Sequence, residues 1–219
     1  MGSEPGRRRQ RSPRVRQKRE QARRDIQQAA QAILRKRGVD AVTLASVANA
    51  LGMTKPALYH YFPSKEALMR SLVASLVDGE VETLIAAIEA ADSSETTLGA
   101  LIRAFYAHYI EHLDTFRTIY CQSQLYSGAR VGMDEVTIRN EINPRTRHLF
   151  DRLEQRLAKA SRSKAKRERM RRLAFAAWTS ALGLMTMLSI ADSIDDPLIH
   201  SDEQLLDTLA NVFDEAAKH

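Results

Sequence analysis

Cysteine is nearly absent from this chain, in which Cys121 is the single one among 219 residues. A lone cysteine excludes an internal disulfide and any zinc site built on cysteines. The sequence also lacks a run of roughly 18 consecutive apolar residues, so it predicts no membrane-spanning helix and no membrane partner. Its first residues contain no apolar segment like that of a signal peptide. From these absences we expect a cytoplasmic protein.

The signatures of catalysis are missing as well. The sequence has no glycine-rich phosphate loop, no nucleophile elbow and no metal-binding motif. His108 and His112 have the i, i+4 spacing that can place two imidazoles on one metal, but no third ligand is fixed, so we predict no metal site. Cys121 could act as a redox sensor if Arg117 stabilised its thiolate, although an ordinary buried thiol is the preferred interpretation. The sequence therefore predicts neither an enzyme nor a bound cofactor.

Positive charge is concentrated at the beginning of the chain. Residues 1–24 contain ten Arg or Lys against two Glu, a balance of +8, whereas the whole chain carries +6. We expect residues 1–17 to form a disordered basic tail that adds salt-sensitive contacts to DNA phosphates and reaches into a minor groove. A tail that only raises solubility is the alternative.

Helical periodicity runs through the whole chain, with Gly, Pro and turn residues marking the breaks. The predicted helices cover about 18–37, 44–51, 55–61, 65–91, 96–112, 114–125, 144–160, 164–191 and 202–217. No stretch keeps the alternation of a strand. We therefore predict an all-α fold, with an N-terminal three-helix helix-turn-helix DNA-binding domain over 18–64 and a C-terminal helical ligand-binding and dimerisation domain over 65–219.

Two short helices around Gly52 carry the clearest local signals. Thr43 has the hydroxyl favoured at an N-cap. The apolar face that follows consists of Leu44, Val47, Ala48 and Leu51. Gly52 can end this helix in the left-handed region, Thr54 can cap the next helix, and Pro56 falls in its first turn, where a missing N–H costs nothing. This order of signals predicts a helix-turn-helix whose second helix enters the major groove of DNA.

The second helix of this pair divides its side chains between two faces. We predict that Leu58 and Phe62 turn inward and that Tyr59 lies between the faces. The predicted outward residues are Lys55, Ala57, His60 and Tyr61. Ammonium, phenol and imidazole groups suit phosphate oxygens, and a small alanine suits a thymine methyl group. The alternative is that the aromatic residues only belong to a helical core.

Residues from about 24 to 70 resemble the amino-terminal domain of the tetracycline-repressor (TetR) family of bacterial regulators. The resemblance rests on Ile26, Ala29, Ala30, Gly38, Thr43, Val47, Ala48, Gly52, Pro56, the run Leu58–Phe62, Lys65, Leu68 and Leu72. By this resemblance, the residues that face DNA are Thr43, Thr54, Lys55, Pro56, Ala57, Tyr59, His60, Tyr61 and Lys65. Many relatives carry a small residue where Lys55 stands, which leaves the operator sequence open. The rest of the chain resembles the family in layout alone.

The predicted carboxyl-terminal domain is rich in aromatic side chains with a few polar ones among them. An apolar cavity with a few convergent polar groups is typical of a small-molecule site. The candidate effector-binding residues are Phe105, Tyr109, His112, Phe116, Tyr120, Cys121, Gln124 and Trp178. The resemblance implies that a ligand bound there moves the connecting helix and spreads the two DNA-binding heads of a dimer. Ordinary core packing is the alternative for each aromatic residue.

The last two predicted helices are the candidates for a subunit interface. The helix over about 164–191 is apolar over most of its surface and must be buried on several sides. The helix over about 202–217 has a broad apolar face. The resemblance implies that two such helices from each subunit form a four-helix dimer seam. A two-fold dimer would meet palindromic half-sites ~34 Å apart, or a multiple of it; a monomer that buries both helices internally is the alternative.

Taken with the resemblance, these features predict a ligand-responsive transcriptional regulator. We expect a repressor that binds a palindromic double-stranded operator as a homodimer and is released by a small, largely apolar or aromatic effector. The alternative is a non-specific, basic, nucleoid-type DNA-binding protein, which would use the arginine tail but would not need an aromatic second domain. An activator is also compatible with the sequence.

Overall fold

The computed structural model describes residues 13–121, 135–158, 163–194 and 200–218. Within these ranges the chain contains helices and no strand, which confirms the predicted all-α class. The chain divides into two compact units, Met1–Leu68 and Met69–His219, called here the N-terminal unit and the C-terminal unit. Each unit is built from helices whose apolar faces pack on one another.

The N-terminal unit is formed by three helices and one short turn. They are α1 at Pro13–Arg37, a 3₁₀ turn at Val39–Ala41, α2 at Leu44–Ala50 and α3 at Lys55–Tyr61. Helix α1 begins earlier than predicted, so residues 13–17 are helical and do not belong to a disordered tail. The physical reason is that proline is well placed at a helix start, where its missing N–H is not needed, and the Arg, Gln and Lys residues that follow favour helix.

A small apolar core holds the three helices together. Its fully buried side chains are Ile26, Ala30 and Leu34 from α1, Val47 and Ala48 from α2, and Leu58 from α3. The α1 residues recur every four positions, so they form one stripe along the helix. Burying one such leucine or isoleucine contributes about 1.5–3 kcal/mol. The orientation of α3 therefore depends on the stripe of α1 and on the small Ala48, which permits close approach.

The C-terminal unit contains most of α4 and the described helices that follow it. They are the continuation of α4 (Lys65–Ala90), α5 at Thr97–Tyr109, α6 at Leu113–Phe116, α7 at Asn143–Leu157, α8 at Lys164–Ile194 and α9 at Asp202–Lys218. A π-helix at Arg117–Cys121 follows α6, and another at Ile138–Ile142 precedes α7. Pro144 therefore lies inside a helical stretch that starts at Glu135, because the π-helix before it changes the hydrogen-bond register.

Helices α5 and α9 pack closely against each other. The backbone N–H of Gly99 donates to Asp214 Oδ1 at 2.7 Å, and a Cβ at position 99 would lie 2.2 Å from Asp214 Oδ2. An ion pair between Arg103 and Asp207, 2.9 Å long, joins the same two helices at their surface. Glycine at position 99 is therefore required by the contact with α9, which sequence periodicity did not indicate.

Helix α8 is buried on one side only within the single chain. Its buried face consists of Met170, Ala174, Ala177, Ala181, Met185 and Leu188. Phe175, Met187 and Ile190 are exposed on the opposite side. Among the described residues, the segment Lys164–Ile190 is the one long and apolar enough to cross a membrane, a property that it shares with core helices of soluble proteins. The sequence predicts that this helix is buried on several sides, but a single chain buries only one side of it.

Candidate functional site

The turn between α2 and α3 is built by its local sequence. The backbone N–H of Ser46 donates to Thr43 Oγ1 at 3.0 Å, and the N–H of Thr43 donates to Ser46 Oγ at 3.0 Å, so the two residues form a capping box. Gly52 has a φ of +63°, and the N–H of Met53 donates to the carbonyl of Ala48 at 2.9 Å. The predicted cap and the predicted left-handed glycine are both confirmed, and together they set the direction of α3.

Helix α3 begins as its sequence predicts. Thr54 is the N-cap, with its hydroxyl oxygen accepting from the N–H of Ala57 at 3.4 Å, and Pro56 lies in the first turn. Leu58 and Phe62 are buried, as expected. The side of α3 opposite Leu58 and Phe62 therefore lies at the surface of the N-terminal unit. A helix that enters the major groove of DNA must be exposed in this way.

The outward face of α3 differs from the prediction at two tyrosines. Tyr59 is 51% exposed and points outward rather than lying between the faces. Tyr61, predicted to be outward, is half-buried, as is Ala57. The reason is helical geometry: Tyr61 is three residues after the buried Leu58 and shares its side, whereas Tyr59 is one residue, or about 100°, away. Other exposed residues on or beside this face are Thr54, Lys55, Pro56 and His60, and Lys65 is exposed at the start of α4.

Arg23 holds the carboxyl end of α3. Its Nη1 donates to the carbonyl oxygen of Tyr61 at 2.9 Å, and its guanidinium lies 4.4 Å from the centroid of the Phe62 ring. A cation at this end of a helix satisfies a free carbonyl and interacts favourably with the helix dipole. Sequence reasoning placed Arg23 in the basic run that contacts phosphate. Its position three residues before the buried Ile26 was the signal that it faces the core.

Besides Arg24, which is exposed and donates to Gln21 Oε1 at 2.7 Å, the remaining described basic side chains of residues 1–24 lie on the first two turns of α1. Arg14, Arg16, Lys18 and Arg19 are all exposed along the helix. The arginines at positions 7, 8, 9 and 11 lie outside the described residues. The described part of the basic segment is therefore a charged helix surface, and phosphates are a suitable partner for it.

The C-terminal unit brings five of the eight predicted effector residues together. They are Phe105, Tyr109, Phe116, Tyr120 and Trp178. The rings contact one another mostly edge to face, with centroids 5.2 Å apart for Phe105 and Tyr109 and 6.2 Å apart for Tyr120 and Trp178. Aromatic pairs in this arrangement stabilise each other beyond the burial of their surface.

Of the other three predicted effector residues, His112 is the one whose side chain the structure describes. His112 is half-buried on the 3₁₀ turn Ile110–His112. The side chain of Cys121 and the whole of Gln124 lie outside the described residues. His108 packs edge-on against the Tyr109 ring at 4.7 Å. In the described part of the chain, no group of three or more His, Cys, Asp or Glu residues could hold a metal.

Glu80 is the functional candidate that sequence reasoning missed. It is 3% exposed and sits on α4 beneath the rings. The hydroxyl of Tyr120 donates to it at 2.8 Å, and the hydroxyl of Tyr109 donates to its Oε2. We call Glu80, Tyr109 and Tyr120 the carboxyl cluster. The available signal was the register of α4, because Glu80 occupies the four-residue spacing of Leu72, Leu76, Leu84 and Ile88.

The protonation of Glu80 is shifted into the physiological range. Burial raises the pKa of Glu80 from its ordinary value of 4.5 to about 7, although the hydrogen bonds from the two tyrosines act in the opposite direction. Burial, followed by the charge of Glu80, raises the pKa of Tyr109 and of Tyr120 well above their usual range. Both phenols therefore remain neutral donors, and Glu80 is the group that changes charge.

A surface groove lies next to these rings. It has a volume of about 770 Å³ and runs between α7 and α8, with Phe150 and Phe175 among its lining residues. Both phenyl rings lie 6.0 Å from Trp178, whose ring is in turn near Tyr120. The indole Nε1 of Trp178 is buried, and none of the described residues accepts a hydrogen bond from it. A buried donor left without an acceptor is unfavourable, so it marks a place where a ligand acceptor would be stabilising.

The comparison with known families concerns the helices just described. Residues 26–72 match the profile of bacterial regulatory proteins, tetR family. The match begins at the first buried residue of α1 and ends in the first turns of α4, so it includes α2, α3 and the turn between them. No curated protein sequence matches the chain significantly.

Solved structures show that the fold likeness extends over nearly the whole chain. A TetR/AcrR family transcriptional regulator from Thermobifida fusca is 20% identical with a TM-score of 0.59, and the alignment covers 89% of this chain and 97% of that one. A TetR family regulator from Marinobacter aquaeolei is 15% identical with a TM-score of 0.60, covering 92% and 97%. A TetR variant from Acinetobacter baumannii in complex with minocycline is 17% identical with a TM-score of 0.56, covering 88% and 96%. The predicted helix-turn-helix domain and helical second domain are thereby confirmed.

Proposed function

We propose that this chain, whose residues 26–72 match the tetR family of bacterial regulatory proteins, represses transcription by binding a palindromic operator as a homodimer. A small-molecule effector would release it from DNA. We further propose that it acts in the cytoplasm and by binding alone, without catalysis. Repression fits because a protein seated on DNA blocks other proteins, whereas activation would require an additional contact surface.

The observation that carries this proposal is the outward face of α3. A half-exposed tyrosine, an exposed imidazole and an exposed lysine stand on a short helix that is capped at one end by Thr54 and held at the other by Arg23. Rigid support is what lets side chains read base edges and phosphates in a fixed register. The proposed DNA contacts are Thr43, Thr54, Lys55, Pro56, Ala57, Tyr59, His60, Tyr61 and Lys65.

The proposed dimer surface is the exposed side of α8 together with α9. Phe175 is 55% exposed on α8, and Val212 is 59% exposed on α9. Large apolar side chains exposed along two neighbouring helices are typical of a surface that another subunit covers. We propose that the same two helices of a second copy cover it, over about 164–191 and 202–217. A two-fold pair suits an operator with two inverted half-sites.

The proposed link between effector and DNA is α4. This helix is continuous from Lys65, a proposed DNA contact, to Ala90, and it carries Glu80 beneath the aromatic rings. The minocycline complex of the Acinetobacter relative supports a small-molecule site in a protein of this fold. An effector that prefers the DNA-incompetent state would shift the equilibrium by its difference in affinity, commonly about 1–3 kcal/mol.

The test is selection of fragmented genomic DNA by the purified protein at physiological salt, followed by sequencing. We expect one palindromic motif upstream of a few genes, bound at least ~10³-fold more tightly than random DNA. A featureless distribution of fragments would overturn the specific regulator in favour of the non-specific basic binder.

A matched variant separates the specific contacts from the general ones. Replacing Arg14, Arg16, Lys18 and Arg19 with glutamine should leave the selected motif unchanged. The slope of log affinity against log salt should become shallower by about 0.9 for each phosphate contact that is lost. An unchanged slope would show that these α1 side chains do not touch the phosphates.

A further inference from the structure

The carboxyl cluster contains a buried acid without a cation. Glu80 is 3% exposed, and the groups that shift its pKa are its burial and the two tyrosine hydroxyls. Among the residues that the structure describes, no lysine, arginine or histidine pairs with it. Buried carboxylates are normally paired with a cation or a metal, because an isolated charge in an apolar interior is costly. A cation in contact with Glu80 would remove that cost.

The walls around Glu80 suit an organic cation. The rings of Tyr109 and Tyr120 lie 6.2 Å apart, and Phe105 is 5.2 Å from the first and 5.9 Å from the second. Aromatic faces attract ammonium groups, and more strongly when water is excluded. A divalent metal is a poorer fit, since the described residues offer one carboxylate here and no group of three metal-ligating side chains.

Two features allow the Tyr120 side chain to move aside when a ligand binds at Glu80. Tyr120 is half-buried, and it lies on the π-helix Arg117–Cys121. π-Helices are rare and occur frequently at functional sites. On the far side of Tyr120, the buried Nε1 of Trp178, which has no acceptor among the described residues, can donate to a hydroxyl or carbonyl oxygen of the incoming molecule.

We propose that Glu80 is the anionic anchor of a binding site for a small organic monocation, a protonated amine or quaternary ammonium that also carries a hydrogen-bond acceptor. This inference rests on the proposed function only in identifying that cation with the effector. Within the site, Tyr120 moves aside, Glu80 holds the positive charge beside the rings of Phe105 and Tyr109, and Trp178 Nε1 donates a hydrogen bond to the acceptor.

Binding of such a cation releases a proton. The described titratable side chains that face Glu80 are Tyr109 on α5 and Tyr120 on the π-helix, and both stay neutral because their pKa values are raised. Because the pKa of Glu80 is about 7 without ligand, its ionised fraction falls by about tenfold between roughly pH 8 and roughly pH 6. The affinity for a permanently charged ligand should fall by the same factor.

The test uses choline and its neutral carbon isostere, neohexyl alcohol, in which a tert-butyl group replaces the trimethylammonium group. Both carry the hydroxyl that Trp178 would recognise. Binding is followed by the fluorescence of Trp178, the single tryptophan of the chain, and by calorimetry in buffers of different ionisation enthalpy. We expect choline to bind the full-length protein at least ~10-fold more tightly than the alcohol at neutral pH, with release of a fraction of a proton.

Two substitutions on one helix give the matched control. Glu80→Gln should abolish the preference for choline, whereas Glu82→Gln, on the exposed side of the same helix, should keep it. Glu80→Asp keeps the charge and should retain part of the preference, which guards against a folding defect in the glutamine variant. Equal affinities for choline and the alcohol, or a preference that survives Glu80→Gln, would overturn the proposal.

Measuring operator binding with the same protein samples shows whether the cation site or the proposed function has failed. If choline binds through Glu80 but no specific operator is selected, the cation site stands and the regulator is refuted. If an operator is selected, and choline and the alcohol bind the protein with equal affinity, the regulator stands and the cation site is refuted.

Discussion

Tyrosine is used in opposite ways by the two units of this chain. In the N-terminal unit, Tyr59 is half-exposed and its hydroxyl has no hydrogen-bond partner among the described residues. In the C-terminal unit, Tyr109 is fully buried and Tyr120 is half-buried, and the hydroxyls of both donate to Glu80. An exposed phenol on a rigid helix can form hydrogen bonds with a partner molecule. A buried phenol on a buried acid stabilises the fold and fixes the charge of its own interior.

The same substitution in both units should give the largest contrast. Tyr109→Ala removes a buried ring and one hydrogen bond to Glu80, so the free energy of unfolding should fall by about 3–5 kcal/mol. Tyr59→Ala removes an exposed ring, and the free energy of unfolding should change by no more than about 0.5 kcal/mol. Urea denaturation followed by circular dichroism measures both. Equal losses would show that Tyr59 belongs to the core.

The pH dependence of stability should come from the C-terminal unit. The pKa of Glu80 is raised from 4.5 to about 7 in the folded state, so the folded state holds its proton more tightly than the unfolded chain. The contribution of protonated Glu80 to the free energy of unfolding is fully present below about pH 4.5 and is lost as pH rises through about 7. The shift corresponds to a loss on the order of 3 kcal/mol.

Denaturation at roughly pH 5 and roughly pH 8 tests this linkage. Glu80→Gln should be close to the wild type at the lower pH and more stable than the wild type at the higher pH. Glu82→Gln, an exposed neighbour on α4, should follow the wild type at both. If Glu80→Gln keeps the wild-type slope, the buried acid is not the titrating group.

DNA affinity should respond to the exposed tyrosine. Tyr59→Ala removes a group that we place against the operator, and the loss should be about 1–2 kcal/mol, or roughly tenfold or more in Kd. Dimerisation, measured by sedimentation, should not change. Tyr59→Phe separates the ring from the hydroxyl, because a contact to phosphate requires the hydroxyl. Parallel loss of dimerisation and DNA binding would instead mean that Tyr59 supports the fold.

The smallest predicted effect distinguishes two arginines on α1. Arg23→Ala removes the hydrogen bond to the Tyr61 carbonyl and the contact with the Phe62 ring, which should cost about 1 kcal/mol of stability. Arg19→Ala changes an exposed side chain and should leave stability unchanged while it weakens the salt dependence of DNA binding. Thermal denaturation and binding at two salt concentrations compare them directly. A stability loss in Arg19→Ala as large as that in Arg23→Ala would contradict the assignment.

The helix-turn-helix could be predicted because its signals are local. Thr43, Gly52 and Thr54 each act within three or four residues of their own position, and the structure has each where its sequence context indicates. The sides of α3 were harder to predict, since in a helix of seven residues a shift of one position turns a side chain by about 100°. The sequence therefore predicts Tyr61 outward and Tyr59 between the faces, whereas Tyr59 points outward and Tyr61 is half-buried.

The carboxyl cluster could not be assembled from sequence because its members are distant. Tyr109 is 29 residues from Glu80 and Tyr120 is 40, so no spacing rule relates them. The aromatic residues were identified as candidates, but an acid in an apolar stripe has meaning only when the groups around it are known. The helical bounds after Tyr109 were likewise uncertain, because 3₁₀ and π segments interrupt the 3.6-residue period.

The contact between Gly99 and Asp214 joins positions separated by 115 residues. Helix α5 has its closest neighbour in α9, the final helix of the chain, so the interior around α5 closes only after α9 has been synthesised. The N-terminal unit is completed within its first 68 residues and can fold on the ribosome long before that. The proposed DNA-binding surface of α3 would thus form on the nascent chain before the proposed dimer surface of α8 and α9.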